Sequence, residues 1–248
     1  MVQLSPSERI YFVMPAYNEA ENIEEIVEKW YPIVEKCGLE CRLVIANDGS
    51  KDNTLEIMQQ LTDKYPQFVP CSKVNSGHGA TVLWLYRYAL EKGADYVFQT
   101  DSDGQTNPEE FWQFYENRKK YDFQIGHRRG RQDGISRVFV TKVLRLVVWL
   151  MFHEWVIDAN TPFRLMKSDH LQRIMNVIPK DYFLCSVAIS AIAVKWKETI
   201  QFYPISFKPR QGGVNSINMK RIFNIAWKAL WDFRKINANL RNYNRENN

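Results

Sequence analysis

Hydrophobic positions along the first hundred residues switch between two periods. Ile10–Met14 is a short, wholly apolar run, the pattern of a strand buried on both faces, and it stops at Pro15. Beyond it, Ile23, Ile26, Val27, Trp30, Ile33 and Val34 recur at helical spacing through Lys36, and Asn18, three residues before Glu21, has the spacing of a capping box. Arg42–Ala46 predicts a second strand ending in Asn47-Asp48-Gly49-Ser50, and Leu55, Met58 and Leu61 mark a second helix. Asn75-Ser76-Gly77-His78-Gly79 is a glycine-bearing turn into a helix over Thr81–Glu91. A third strand, Tyr96–Thr100, runs straight into Asp101-Ser102-Asp103.

Strand and helix in alternation predict an α/β domain: a mostly parallel sheet flanked by helices. In open sheets of this kind ligands sit beyond the carboxyl ends of the strands. The polar clusters Pro15–Glu19, Asn47–Ser50 and Asp101–Gln105 all fall at such ends, so they are expected to converge in space.

The second half reads differently. Val138–Trp155 is a helix-like stretch rich in Leu, Val, Phe and Trp. In Lys220–Ile236, Ile222, Phe223, Ala226, Trp227, Leu230, Trp231 and Phe233 form an apolar stripe flanked by Lys220, Arg221, Lys228, Arg234 and Lys235, the pattern of an interfacial helix or of a helix packed on its own domain. The net charge of +5 conceals an asymmetry: residues 1–110 carry 9 Lys/Arg against 18 Asp/Glu, and the remainder 24 against 10. Nine of those basic residues lie within 118–145, so the second half is expected to meet something anionic.

Composition narrows the class. With 248 residues and 45% hydrophobic content, the chain buries a substantial core and is no disordered tail. The longest uncharged apolar run there, Leu146–Phe152, is far short of the ~20 residues that span a bilayer. Cys37, Cys41, Cys71 and Cys185 form no paired framework, and Met1–Ile10 is no secretory signal, so reduced thiols and a cytoplasmic location are expected.

Asp101-Ser102-Asp103-Gly104-Gln105 carries the candidate chemistry. Two carboxylates one residue apart at the end of a buried strand offer hard oxygen ligands to Mg²⁺ or Mn²⁺, which would also bind substrate phosphate oxygens. Alone the pattern also fits a solvated turn. Together with Pro15-Ala16-Tyr17-Asn18-Glu19, Asn47–Thr54 and Asn75–Ala80 in this order, it resembles the landmarks of family-two glycosyltransferases of the GT-A (Rossmann-like) fold. Further along, Pro108-Glu109, Gly126-His127-Arg128, Asp158–Leu165, Tyr203–Phe207, Arg210 and Gly213–Ser216 are similar to the dolichol-phosphate and polyprenol-phosphate mannosyltransferase branch.

The resemblance implies roles. Pro15, Tyr17, Glu19, Ala46, Asp48, Ser102, Asp103 and Arg210 would bind the nucleotide-sugar, with Asp48 at the base. Asp101, Asp103 and Gln105 would organise the metal. Arg128, Arg137 and Arg164 would hold the acceptor phosphate, and Asp103, Arg128 and Asp158 would be catalytic. It also implies a domain over 1–218, with a nucleotide-sugar half at 10–105 and an acceptor half at 106–218, followed by an amphipathic helix and polar tail at 219–248. Asn47 and Pro162 depart from the branch's usual residues, and Tyr182–Ala188 carries no acid where many relatives have one.

That missing acid bears on the acceptor. A sugar hydroxyl needs a general base near pH 7, whereas a phosphate monoester is already anionic. The expectation is therefore inverting transfer from a GDP- or UDP-linked sugar to polyprenyl phosphate, on the cytoplasmic face of a membrane, through an anionic lipid surface or a membrane-embedded partner subunit. Asp158 or Asp181 acting as base keeps open a hydroxyl acceptor on a growing polysaccharide or lipid-linked oligosaccharide. No nucleic-acid motif accompanies the basic residues, and no glycine-rich, lysine-bearing loop marks a nucleotidyltransferase.

Overall fold

In the computed structural model, residues 8–128, 149, 158–208 and 231–243 are described. Arg137, Arg210, Gly213–Ser216, Lys220–Leu230 and, apart from Trp149, the Val138–Trp155 stretch lie outside them.

Alternation along the central strands sends successive side chains to opposite faces, and each face has its own apolar layer. Strand β1 (Ile10–Ala16) lies between β2 (Arg42–Asp48) and β4 (Tyr96–Gln99), parallel to both, and β3 (Phe68–Lys73) forms the edge beside β2. Phe12, Met14, Ile45 and Phe98 point to one layer, which is closed by α1 (Ile23–Cys37) and α4 (Phe111–Glu116). Phe12 and Phe98 meet at 5.3 Å between centroids, and Phe98 meets Phe163 edge-on at 4.8 Å. Val13, Val44, Ala46 and Val97 face the other layer, built from α3 (His78–Glu91), α5 (Ser168–Met175), α6 (Cys185–Lys195) and the helical residues 231–243.

The sheet continues through β6 (Arg164–Lys167), β5 (Phe123–Arg128) and β7 (Ile200–Ile205), giving the order β3-β2-β1-β4-β6-β5-β7. Only β6 runs against its neighbours, so the other six strands finish at the same edge. The two halves expected from the sequence thus share one mixed, mostly parallel sheet.

Several boundaries differ from expectation. Pro15 does not end β1: it pairs in register with Ala46, and the strand runs to Ala16. The capping box is a correction. Asn18 adopts a left-handed φ of 54° and belongs to the loop, and α1 begins only after Asn22. Strand β3 carries no apolar run because it is a half-exposed edge, where Pro70 is tolerated. Of the C-terminal stripe, Phe233 is buried with Ile236 and Leu240, whereas Trp231 is exposed. Among the described residues no helix is long and apolar enough to cross a membrane.

Candidate active site

Three loops leave the sheet at its carboxyl edge and are stitched together by their own polar side chains. After β1, the Asn18 N–H donates to Ser50 Oγ at 2.9 Å, and Asn18 Oδ1 accepts from the Lys51 N–H at 2.9 Å. The Glu19 N–H reaches Thr54 Oγ1 at 2.9 Å and the Ala20 N–H reaches Asp52 Oδ2 at 3.1 Å. Between them, Ser102 Oγ donates to the Pro15 carbonyl at 2.8 Å, tying the ends of β1 and β4.

Asp48 is the clasp between β2 and β3. Its Oδ1 accepts from Lys73 Nζ at 2.6 Å and the Ser76 N–H at 2.9 Å, and its Oδ2 accepts from the Gly77 N–H at 2.9 Å. Burial alone would raise this carboxyl, but the hydrogen bonds from Lys73 and Ser76 outweigh it and hold it below the ordinary range. Next to it, Gly49 has φ of +65°, and a Cβ there would lie 2.8 Å from Asn75 N. Only glycine lets the two loops approach this closely.

These loops enclose a cleft of about 440 Å³. Its lining holds Pro15, Tyr17, Glu19, Asp48, Ser102 and the expected metal carboxylates Asp101 and Asp103, together with Ala16, Asn75, Gly77 and His78. Hydrogen-bonded pairs 32 to 87 residues apart in sequence therefore meet, as convergence at strand ends requires. Four of the described lining residues are acids, and no lysine or arginine is among those described. Tyr17 is 43% exposed, a ring available for stacking.

The acids are individually held. Asp103 Oδ1 accepts from the Gln105 N–H at 3.2 Å. Asp101 Oδ1 accepts from His78 Nε2 at 3.0 Å and from Gln99 Nε2 at 3.3 Å. The Asp101 charge, with Asp103 and Asp48 behind it, holds the His78 imidazole above its usual range. His78 opens α3 at the glycine turn Asn75–Gly79, and its type and spacing alone do not mark it as a site residue.

The other candidates divide. Arg128, ending β5 on the same edge, grips Asp158 with two donors: Nε to Oδ2 at 3.1 Å and Nη2 to Oδ1 at 2.9 Å. The pair is nearly buried, and the Arg128 guanidinium also lies 5.3 Å from the Phe207 ring centroid. Arg164, expected at the acceptor phosphate, sits elsewhere: it is wholly buried, and its guanidinium donates to the carbonyls of Ala159, Thr161 and Ser186. Its place at the start of β6 turns the side chain into the α6 layer. Gln105 is also turned from the cleft lining: Nε2 donates to the Lys208 carbonyl at 2.8 Å, and the Lys208 N–H returns to the Gln105 carbonyl at 2.8 Å. Ala46 lies in the apolar layer beneath the sheet and does not line the cleft.

At the opposite edge, Asp122, His170 and Glu198 also gather ligand atoms within 4.8 Å of one another. Here cations are already built in. Lys167 Nζ donates to Asp122 at 2.9 Å and Arg173 Nη2 to Glu198 at 2.6 Å, while Thr199 donates twice to Asp122 Oδ2.

A model of the glycosyl transferase family 2 matches residues 11–175. The undecaprenyl-phosphate 4-deoxy-4-formamido-L-arabinose transferase of Salmonella paratyphi B is 24% identical over 228 residues, 92% of this chain and 68% of that protein. Among solved structures, Mycobacterium tuberculosis glucosyl-3-phosphoglycerate synthase, in complex with Mn²⁺, UDP and glucosyl-3-phosphoglycerate, superposes with a TM-score of 0.67 at 16% identity, over 93% of this chain and 80% of that one. Staphylococcus aureus TarS 1–349 gives 0.55 at 17% identity, over 79% of this chain; the match spans only 58% of that chain.

Proposed function

This chain belongs to glycosyl transferase family 2, and from that premise we propose that it moves a sugar from a GDP- or UDP-linked donor to a polyprenyl phosphate, with inversion, at a membrane surface. The observation that carries the donor half is the acidic cleft. A nucleoside diphosphate entering a space whose described lining offers Glu19, Asp101 and Asp103, beside Asp48 held by Lys73, would be repelled unless a divalent cation intervened. Asp101 and Asp103 are the hard oxygen donors that Mg²⁺ or Mn²⁺ prefers, set at the mouth of β4, so the residues present fit the ion. When bound, it supplies charge neutralisation on the departing diphosphate.

The chain's own groups do the rest. Tyr17 offers its exposed ring to the nucleobase. The turn Asn75–Gly77, clamped by Asp48 and Lys73, offers its edge to the base. Arg128 lies on the same sheet edge, where an acceptor phosphate would approach the anomeric carbon opposite the leaving group, and Asp158 holds its guanidinium in place. Asp158 already receives two guanidinium donors, which leaves it poorly suited to take a proton from a hydroxyl. That favours an acceptor which arrives as an anion, as does the substrate in the Salmonella relative's name.

For the membrane, the outer face of residues 231–243 offers Trp231, Arg234, Lys235 and Arg241 while Phe233, Ile236 and Leu240 anchor its inner face in the core. We assign peripheral attachment to an anionic surface or a membrane-embedded partner subunit to this face. The test is purified protein with Mn²⁺ or Mg²⁺, UDP- and GDP-sugars, and either undecaprenyl phosphate or a sugar alcohol as acceptor. Lipid-phosphate glycoside and free nucleoside diphosphate are expected. Transfer to the hydroxyl alone would overturn the acceptor half and leave the donor half standing.

A further inference from the structure

We propose that Gln99 and Tyr86 are positioning residues for the cation, selecting which oxygen of Asp101 is offered to the cleft; this rests on Asp101 being a metal ligand, as proposed above. Gln99 closes β4, is wholly buried, and donates through Nε2 to Asp101 Oδ1 at 3.3 Å. An amide's two ends occupy nearly the same volume, so packing alone does not decide which end faces the carboxylate. Tyr86 holds the far end. Its ring is wholly buried in the apolar layer on α3, yet its hydroxyl donates to Gln99 Oε1 at 3.2 Å. With the phenol on the amide oxygen and the carboxylate on the N–H group, Gln99 is held at both ends.

His78, about two turns earlier on the same helix, donates to the same oxygen at 3.0 Å. Two donors converging on Oδ1 restrict rotation of the carboxylate. Among the described residues no group donates to Asp101 Oδ2. The geometry leaves that oxygen to the cation. A phenylalanine at position 86 would fill the apolar layer equally well, so packing does not account for the hydroxyl, which would be costly to bury without its acceptor. Without it, the buried Gln99 carbonyl loses its donor, the amide is held at one end only, and the carboxylate loses its fixed orientation.

The experiment compares Tyr86→Phe, Gln99→Met and Asp101→Ala with the unaltered chain. It measures Mn²⁺ binding by electron paramagnetic resonance in the presence of UDP or GDP, metal dependence of the steady-state rate, and metal-free thermal unfolding. Gln99→Met is expected to weaken Mn²⁺ binding about 10-fold and Tyr86→Phe about 5-fold, near the lower end for groups that orient a metal ligand. The rate of Tyr86→Phe at saturating Mn²⁺ should return to within about 2-fold of the unaltered chain, because orientation rather than a ligand was lost. Unaltered Mn²⁺ affinity in folded Tyr86→Phe overturns the proposal, whatever happens to its melting temperature. Should Asp101→Ala bind Mn²⁺ as the unaltered chain does, the ligand assignment itself fails and the proposal falls with it. Lost binding in Asp101→Ala with full binding in Tyr86→Phe rejects the proposal alone.

Discussion

Two clusters of acid and imidazole stand at opposite edges of one sheet, and the partners around them set them apart. At the amino edge, Asp122, His170 and Glu198 are threaded by Lys167, Arg173 and Thr199, so each anion meets a donor that belongs to the fold. At the carboxyl edge, Asp101 takes His78 and Gln99 on one oxygen, and among the described residues the cleft beside it is lined by four acids without a lysine or arginine. Residue types are similar in the two places, but only at the amino edge do three ligand atoms lie within 4.8 Å of one another among the described residues. A charge cluster whose compensation is internal supports the fold, whereas one that awaits a cation from outside is built for a ligand.

The comparison can be broken most forcefully at Asp101 and Asp103. Replacing either with Ala should lower transfer by about 1,000-fold, the scale of a lost electrostatic contact to the departing group, with little change in metal-free stability. Activity assays paired with thermal unfolding check this; a large loss of stability with activity retained would make the carboxyl edge resemble the amino edge. Arg164 draws the same line between the two expected arginines. Arg164→Ala strips several buried carbonyls of their donor and should cost about 3 kcal/mol of stability in a denaturant titration. Arg128→Ala should lower transfer and also cost stability, because it strips nearly buried Asp158 of its counter-charge.

The smallest effect belongs to the amino edge. Burial would raise the Asp122 carboxyl, but Thr199 and Lys167 hold it down at about 2. A carboxyl whose folded pKa is depressed contributes stability above its unfolded value and loses it as pH falls through the folded one. Asp122→Asn should therefore cost about 2 kcal/mol at pH 7. The gap to the unaltered chain should close as pH falls from about 4 to about 2, and Mn²⁺ dependence should be unaffected. A gap independent of pH would show that the carboxyl's shape, rather than its charge, holds the edge together.

What could be read beforehand was local. Ile10–Met14, Arg42–Ala46 and Tyr96–Thr100 announced buried strands because a short strand covered on both faces must be apolar throughout. The three polar clusters at their ends announced a site because parallel strands bring such ends together. Strand β3 was missed, since an edge strand needs no such run, and the reversal of β6 left no local trace. Asn18 matched a helix-cap pattern but serves as a stitch between loops, for its partners Ser50 and Lys51 lie over thirty residues away.

By itself, then, the sequence determined the strand–helix alternation, the family and the identity of the acids at the carboxyl edge, because periodicity and turn chemistry are written in neighbouring residues. The tertiary structure decided which charged groups are already neutralised: that Lys73 closes Asp48, that Arg128 holds Asp158, that Arg164 serves buried carbonyls, and that Gln99 and His78 share one oxygen of Asp101. Compensation of a charge depends on distances of a few ångströms between segments remote in sequence. Folding alone sets those distances.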